Sequence, residues 1–442
     1  LVVLENSMRS HLLPLGLAVL FINPVLAQTL DPSLSFRPVV AAPAGASLTL
    51  EEALSRATDA NPTLRAAARE VSAVDATILQ AHARPNPELQ GLVEDLRNAT
   101  RITTVQINQP IELGGKRGAR IAAAEKNRSA ASLALDVQRA EIRADVVTAF
   151  ADVLAAQEGL RLAQATADLA QRASGVAARR VLAGKVSPVE ETRARVAEAN
   201  VRLEAAVAVN ELAASRKRLA GLWGAAIPDF AQVQGNLESL PPLPPLTDLN
   251  QQLETSPALL RARMEIERRI ALTRVERSQR TPDVTISLGA RRNNELGLNQ
   301  AIVGASLPLP LFNRNQGNIL EAERRTDKAR DELAAATVQA SNSLAQAHSR
   351  LDVARQSVTT LREQILPGAQ SAYDAATKGF ELGKFNFLEV LDAQRTLFQA
   401  RAQYQRALAE SYRAAAEIER VLGGAIASAS PVDARISTPP TK

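Results

Sequence analysis

Glu190 and Glu389 close two copies of one short pattern. The first reads Gly184-Lys185-Val186-Ser187-Pro188-Val189-Glu190, and Gly383-Lys384-Phe385-Asn386-Phe387-Leu388-Glu389 follows 199 residues later. In each copy a side chain able to accept a hydrogen bond, Ser187 or Asn386, stands three residues before a carboxylate. That is the spacing of a capping box, in which the cap takes an amide proton near the helix start and the carboxylate returns the bond. Pro188 suits the first helical position, where no N–H is needed, and Gly184 suits a left-handed position just past a helix end. The chemistry is therefore structural first: Ser187 and Asn386 start helices, and each glutamate complements a helix dipole. Each pattern is a tight reversal between antiparallel helices, with tips at 182–188 and 381–387.

Other residues that could do chemistry are few. The chain has no cysteine, two methionines and three histidines, of which only His82 and His348 lie outside the N-terminal region. No disulfide or thiolate metal site is possible, and a lone histidine in a helix is ordinarily structural. The run Gly114-Gly115-Lys116-Arg117-Gly118 lacks the serine or threonine that a phosphate loop carries after its lysine. Its glycines fit a turn from strand into helix. Nucleophile-elbow and zinc-protease motifs are missing as well. The sequence thus offers no catalytic residue, no cofactor site and no metal ligand, and the chain does not read as an enzyme. A net charge of +5, from 52 basic and 47 acidic residues, is too small and dispersed for a nucleic-acid partner.

The two reversals need long helices to carry them. No proline occurs from Lys116 to Leu182, and a continuous helix there would be roughly 100 Å long. The matching stretch 317–383 contains Pro367-Gly368, which is expected to bend or break it. Helices of this length need partners along their whole course. The return helices, about Pro188 to Leu222 and Phe387 to Leu422, cover half of it, and the first helix of each half with a connector must supply the rest. Aromatic residues make up only 3% of a chain rich in alanine, which favours close helix packing over a thick aromatic core.

The chain is written twice. "NPTLRAAAREV" from Asn61 parallels "SPALLRARMEI" from Ser256, "QPIELGGKRG" from Gln109 parallels "LPLPLFNRNQG" from Leu307, and "LWG" ending at Gly224 parallels "VLG" ending at Gly423. The first repeat spans 47–226 and the second 249–424. Each holds a helix of some 35 residues, two strand-like segments (within 87–112 and 283–311), a long helix, a tip and a return helix. In the strand segments Val284, Ile286, Leu288 and Ala290 alternate with Asp283, Thr285, Ser287 and Gly289, and Val105 and Ile107 alternate with Thr104, Gln106 and Asn108. Turns at 97–100 and 293–299 suit hairpins.

Segments of about ten residues, apolar on one face and polar on the other, meet the needs of a transmembrane barrel, or of half-buried hairpins in a soluble domain. Four strands cannot close a barrel, since the smallest have about eight, and no other sheet is offered for them to join. Open edges are forbidden in lipid, so several copies would have to complete the wall, and three copies would supply twelve strands. The strands carry no tryptophan or tyrosine, and Phe312 is the one aromatic residue nearby.

Near the start, Met8-Arg9, an apolar run from Leu12 to Ile22 and a cleavage site after Ala27 read as an export signal over 1–27, with a possible upstream extension before Met8. Residues 28–46 read as a linker, 227–248 as a proline-rich connector with little helix, and 425–442 as a disordered tail.

Taken together, the duplicated halves, paired strands, the "QPIELGGKRG" junction and the second tip, "YDAATKGFELGKFNFLEVLDAQRTL", resemble the TolC-like outer-membrane factors of tripartite efflux pumps. The "ELGGKRGARIAAAE" junction further resembles the CzcC-like branch associated with heavy-metal efflux. The resemblance implies a mainly α trimer, with a twelve-stranded barrel in the outer membrane of a Gram-negative bacterium continuous with a twelve-helix periplasmic tunnel. It also implies a periplasmic adaptor at the tips and an inner-membrane transporter of the resistance-nodulation-division (RND) type. The implied function is a passive export duct for heavy-metal cations or drugs; a periplasmic coiled-coil adaptor or scaffold is the alternative. On that footing Glu190 and Glu389 become candidates for a gate, because six carboxylates around a narrow mouth would favour cations. Leu182, Gly184, Lys185, Leu382, Gly383 and Lys384 become candidates for adaptor contact.

Overall fold

The computed structural model describes residues 47–425, except positions 383 and 386 and the side chains of 381 and 387. The export signal (1–27), the linker (28–46), the tail from 426 onward, and Gly383 and Asn386 of the second tip lie outside the described residues.

In chain order the elements of the first half are β1 (Ser47–Leu48), α1 (Leu50–Ala60), α2 (Pro62–His82), β2 (Glu88–Glu94), β3 (Ile102–Ile111), α3 (Lys116–Leu182) and α4 (Pro188–Gly221). The second half follows with β4 (Gln232–Val233), α5 (Leu246–Leu253), α6 (Pro257–Ser278), β5 (Val284–Asn293), β6 (Leu298–Ser306), α7 (Gln316–Thr360), α8 (Leu366–Glu381) and α9 (Phe387–Leu422). After β1 and β4, which pair in parallel through the connector, the two halves show the same order: two helices, two strands, a long helix, a reversal and a return helix.

Prolines set three features of these elements, two of them departures from expectation. The opening helix of each half is two helices, not one, because Pro62 and Pro257 have no N–H with which to continue a preceding helix. Asn61 restarts the first by accepting on Oδ1 from the Leu64 amide at 2.9 Å, and its side-chain Nδ2 donates to the Leu222 carbonyl at 2.7 Å. The same prolines seat the far ends of the hairpins: Pro62 lies against Gly224 and Pro257 against Gly423, both glycines at positive φ. The second long helix is not broken at Pro367-Gly368. A π-helical turn over Leu361–Ile365 comes immediately before, and the chain then continues as α8 with Pro367 in its first turn. Widening the turn removes the clash between the proline ring and the preceding carbonyls. The fourth strand ends at Ser306 and not near 311, since Pro308 and Pro310 cannot donate to a ladder.

Four strands form one antiparallel sheet in the order β2-β3-β5-β6, with the two halves meeting at β3 and β5. Beneath it α2, α3, α6 and α7 pack side by side, and toward the tips the order becomes α4, α3, α9 and α7–α8. The core sits where these levels meet. Leu48, Val146, Phe150, Leu219, Trp223 and Phe230 pack in the first half, and Leu249, Leu344, Leu351 and Ile418 in the second. The connector is strapped across the join, where Leu237 packs with Ala151, Val358, Tyr404 and Leu408. Gln157 clamps it by accepting from the Val233 amide at 2.7 Å and donating to the Val233 carbonyl at 3.1 Å. His348 completes the strap, with Nε2 at 3.1 Å from the Pro244 carbonyl, a structural role.

One charge cluster in this region works against stability. Burial, then Glu141 and Glu417, push the Asp145 carboxyl above the usual range, while Arg420 opposes them. A raised carboxyl means that the folded chain holds this proton more tightly than the unfolded one. The group therefore favours folding at acid pH and opposes it once pH rises above its folded pKa. Asp145→Asn should raise the thermal midpoint at neutral pH, and the gain should shrink as pH approaches 4. Melting curves at several pH values check this.

Candidate functional site

The sheet has two chemically distinct faces. Pairing puts Glu88 opposite Asn108, Gln90 opposite Gln106, Asn108 opposite Ser287 and Ser287 opposite Gly304, so one face is polar across β2, β3 and β5 and meets a glycine on β6. That face is knit together. Gln106 Nε2 donates to Gln90 Oε1 at 2.9 Å, Asn108 Nδ2 donates to the same oxygen at 3.0 Å, and Ser287 Oγ donates to Asn108 Oδ1 at 2.7 Å. On the opposite face Leu89, Val93, Val105, Ile107, Leu288 and Val303 are about half exposed or more, with Val303 at 78%. A bare apolar face on a sheet is a surface for lipid or for another protein. The outer edges of β2 and β6 pair with no described strand.

Where strands turn into helices, the glycine-lysine run has a clear task. Gly114 sits at φ 69°, and a Cβ there would come within 2.6 Å of the Thr281 Cβ, so only glycine fits. Lys116, its side chain 7% exposed, reaches Asp283 at 2.8 Å, and the Leu113 amide donates to the same carboxylate oxygen at 3.1 Å. This ties the end of β3 to the start of β5. Arg120 pairs with Glu112 beside it.

Below the connector a groove of about 1140 Å³ runs between α4 and α9 with α3 as its floor. Ala155, Ala156, Gly159 and Ala163 make the floor, and charge lines it evenly: Asp152, Glu204, Glu211 and Asp392 against Arg218, Arg395, Arg406 and Arg413. Arg413 bridges to Asp152 at 2.6 Å. Four carboxylates balanced by four guanidiniums give this surface no preference for either sign of ion. Among the described residues no cluster of histidine, aspartate and glutamate could hold a metal ion.

The first tip is built much as its spacing suggests, while the expected turn glycine and cap of the second, Gly383 and Asn386, lie outside the described residues. At the first, Gly184 takes φ 65° and the Lys185 amide donates to the Arg180 carbonyl at 2.9 Å, a left-handed helix ending. Ser187 caps α4, but from the Val189 amide at 3.3 Å. The Glu190 amide is taken by the Ser187 carbonyl at 2.9 Å, and the described hydrogen bonds do not include a return from the Glu190 carboxylate. The reciprocal box expected at Ser187 and Glu190 is thus only half made, because the tight turn at Pro188 brings the carbonyl to the amide first. At the second tip the Lys384 amide donates to the Gly379 carbonyl at 2.8 Å. Leu182 and Leu382 are 88% and 63% exposed, and Lys185 and Lys384 are exposed beside them. Glu190 is half-buried and Glu389 exposed, each in the first turn of its return helix.

Two contacts at the tips escaped the sequence reading. The Arg180 guanidinium lies 4.2 Å above the Phe380 ring, joining the hairpins of the two halves. Phe385 packs on Gly379 so closely that any Cβ there would collide with the ring. Three of the nine phenylalanines fall within 380–387, and that local density was the available signal.

Comparison with known proteins matches this arrangement. A family described as outer membrane efflux protein matches residues 53–225 and 249–424. The cobalt-zinc-cadmium resistance protein CzcC of Cupriavidus metallidurans is 50% identical over 418 residues, 94% of this chain and 100% of that protein. The nickel-cobalt-cadmium resistance protein NccC of Alcaligenes xylosoxydans xylosoxydans is 32% identical over 65% of each chain. Among solved structures, a membrane protein from Pseudomonas aeruginosa has a TM-score of 0.73 at 20% identity, covering 84% of this chain and 92% of that one. CusC has a TM-score of 0.72 at 21% identity, covering 85% and 92%. At such identities these two speak for the fold alone. The resemblance to TolC-like factors and their CzcC-like branch therefore holds, and a periplasmic scaffold, the alternative reading, gives way. With its two-faced sheet set in the outer membrane and its long helices in the periplasm, the chain belongs to the outer membrane efflux protein family.

Proposed function

We propose that three copies of this chain form a passive duct for heavy-metal cations, twelve strands closing a barrel above a tunnel of twelve helices. The observation that carries this reading is the four-stranded sheet with a bare apolar face and two edges that pair with no described strand. Lipid tolerates no open edge, so β6 of one copy must meet β2 of the next. A second feature supports it. Val189, Val196 and Leu203 recur every seven residues along α4 and are 55%, 56% and 66% exposed, a seam awaiting another helix. The matching order of elements in the two halves, and a family match that falls once on each, support an internal duplication.

The cargo class follows from the names of the relatives, which are resistance proteins for cobalt, zinc, cadmium and nickel. A duct needs no tight metal site, and the charge-balanced groove would let cations pass without holding them. Any cation preference would come from the tips, where three copies bring six glutamates, Glu190 and Glu389, to the mouth. The exposed Leu182, Lys185, Leu382 and Lys384, with Gly184 and Gly383, are the proposed contact for a periplasmic adaptor leading to an RND-type transporter.

Single-channel recording tests this. The protein in a planar bilayer should conduct and favour cations. Glu190→Gln/Glu389→Gln should lower the cation-to-anion permeability ratio several-fold while leaving conductance in high salt nearly unchanged. Equal selectivity in both proteins would remove the glutamates from the gate.

A further inference from the structure

We propose that the junction between sheet and helices carries a built anchor for anionic phospholipid on the periplasmic side of the outer membrane, made of Leu307–Phe312 and a collar of arginines. This rests on the apolar sheet face meeting lipid. Beyond the last paired residue of β6, Ser306, the outward-facing Val303 and Ala305 are followed in the chain by Leu307, Leu309, Leu311 and Phe312, with a tight turn where the Leu311 amide donates to the Leu309 carbonyl at 2.9 Å. These four are 50%, 71%, 65% and 91% exposed. The segment cannot be a strand, because Pro308 and Pro310 offer no amide, so its side chains serve some other surface. A neighbouring copy would pair sideways along the strand edge, about 4.8 Å away in the plane of the sheet, and leave the outward face uncovered. Continuity with the lipid-facing residues above makes the membrane the occupant.

The charges at the same level point to the headgroups. Each of the four strand–helix junctions carries an arginine: Arg84 before β2, Arg117 after β3, Arg280 before β5 and Arg314 after β6. Arg84, Arg280 and Arg314 are exposed and have no carboxylate partner among the described ion pairs, while Arg117 donates to the His82 carbonyl at 2.9 Å. The local acids are engaged elsewhere: Glu112 with Arg120, Asp283 with Lys116, and Glu276 with Asn315. Glu88 remains, on the polar face of the sheet. Arg314 Nε donates to the Pro310 carbonyl at 3.2 Å, which fixes the guanidinium beside the apolar segment. An apolar wedge under a ring of cations fits an anionic lipid, with its acyl chain on the leucines and its phosphate on the arginines.

Tryptophan quenching in liposomes tests this on the full-length protein. The native Trp223 is 6% exposed and thereby shielded from quenchers, so the quenchable emission of Phe312→Trp reports one site. Emission should be quenched by phospholipid brominated near the headgroup, and at least about twofold more by brominated phosphatidylglycerol than by the same fraction of brominated phosphatidylcholine. Arg84→Gln/Arg280→Gln/Arg314→Gln in the Phe312→Trp background should abolish that preference. Quenching by aqueous acrylamide alone, or by neither agent, would overturn the anchor in favour of water or a neighbouring subunit. A phosphatidylglycerol preference that survives the arginine changes would overturn the collar. Val303→Trp is the control: should it also escape lipid quenching, the lipid-facing sheet itself fails, which is a different result.

Discussion

Glutamates placed at Val196 and Leu203 are expected to prevent assembly while leaving each chain helical. Both side chains are more than half exposed on α4, one heptad apart, on a face that no described element covers. If that face is the seam between copies, each substitution puts an unpaired carboxylate into a helix interface. The cost is roughly 3 kcal/mol per interface, about a hundredfold in each association constant. Helicity should survive, because the core of the hairpin lies on the other side of α4, where Leu212, Ser215 and Leu219 are buried. Size-exclusion chromatography with light scattering, beside circular dichroism, separates the two effects. Val196→Ile/Leu203→Met should assemble normally.

Removing Asp283 should cost about as much within a single chain. Its carboxylate holds the almost fully buried Lys116 ammonium and the Leu113 amide, so Asp283→Ala leaves a cation and a donor without partners at the point where strands become helices. A broken buried pair costs roughly 3–5 kcal/mol. Lys116→Met/Asp283→Ala should recover part of the loss, since an apolar side chain needs no partner there. Thermal unfolding in detergent measures both. Equal stability of Asp283→Ala and the parent would show that the pair has no structural role.

What the sequence disclosed, and what it hid, divides along physical lines. The 67-residue helix α3 was legible because nothing between Lys116 and Leu182 can stop a helix. The hairpins were legible because period-two alternation is local, and the reversal at Gly184 because few residues other than glycine tolerate its backbone. Features that depend on contact across the fold stayed hidden. The link from Lys116 to Asp283 spans 167 positions, and the stacking of Arg180 on Phe380 needs both hairpins in place. The π-helical turn before Pro367 was half legible, because a proline announces trouble without saying whether a helix will stop or widen. At the tips, Ser187 was recognised as a cap, but spacing could not tell that a carbonyl would reach the Glu190 amide first.

Stoichiometry of the detergent-extracted particle, read by native mass spectrometry, is the most direct test of a wall built from identical copies. Three chains per particle is the predicted result, with no stable single chain in the folded fraction. A folded particle containing one chain, with the edges of β2 and β6 protected from amide exchange, would contradict it.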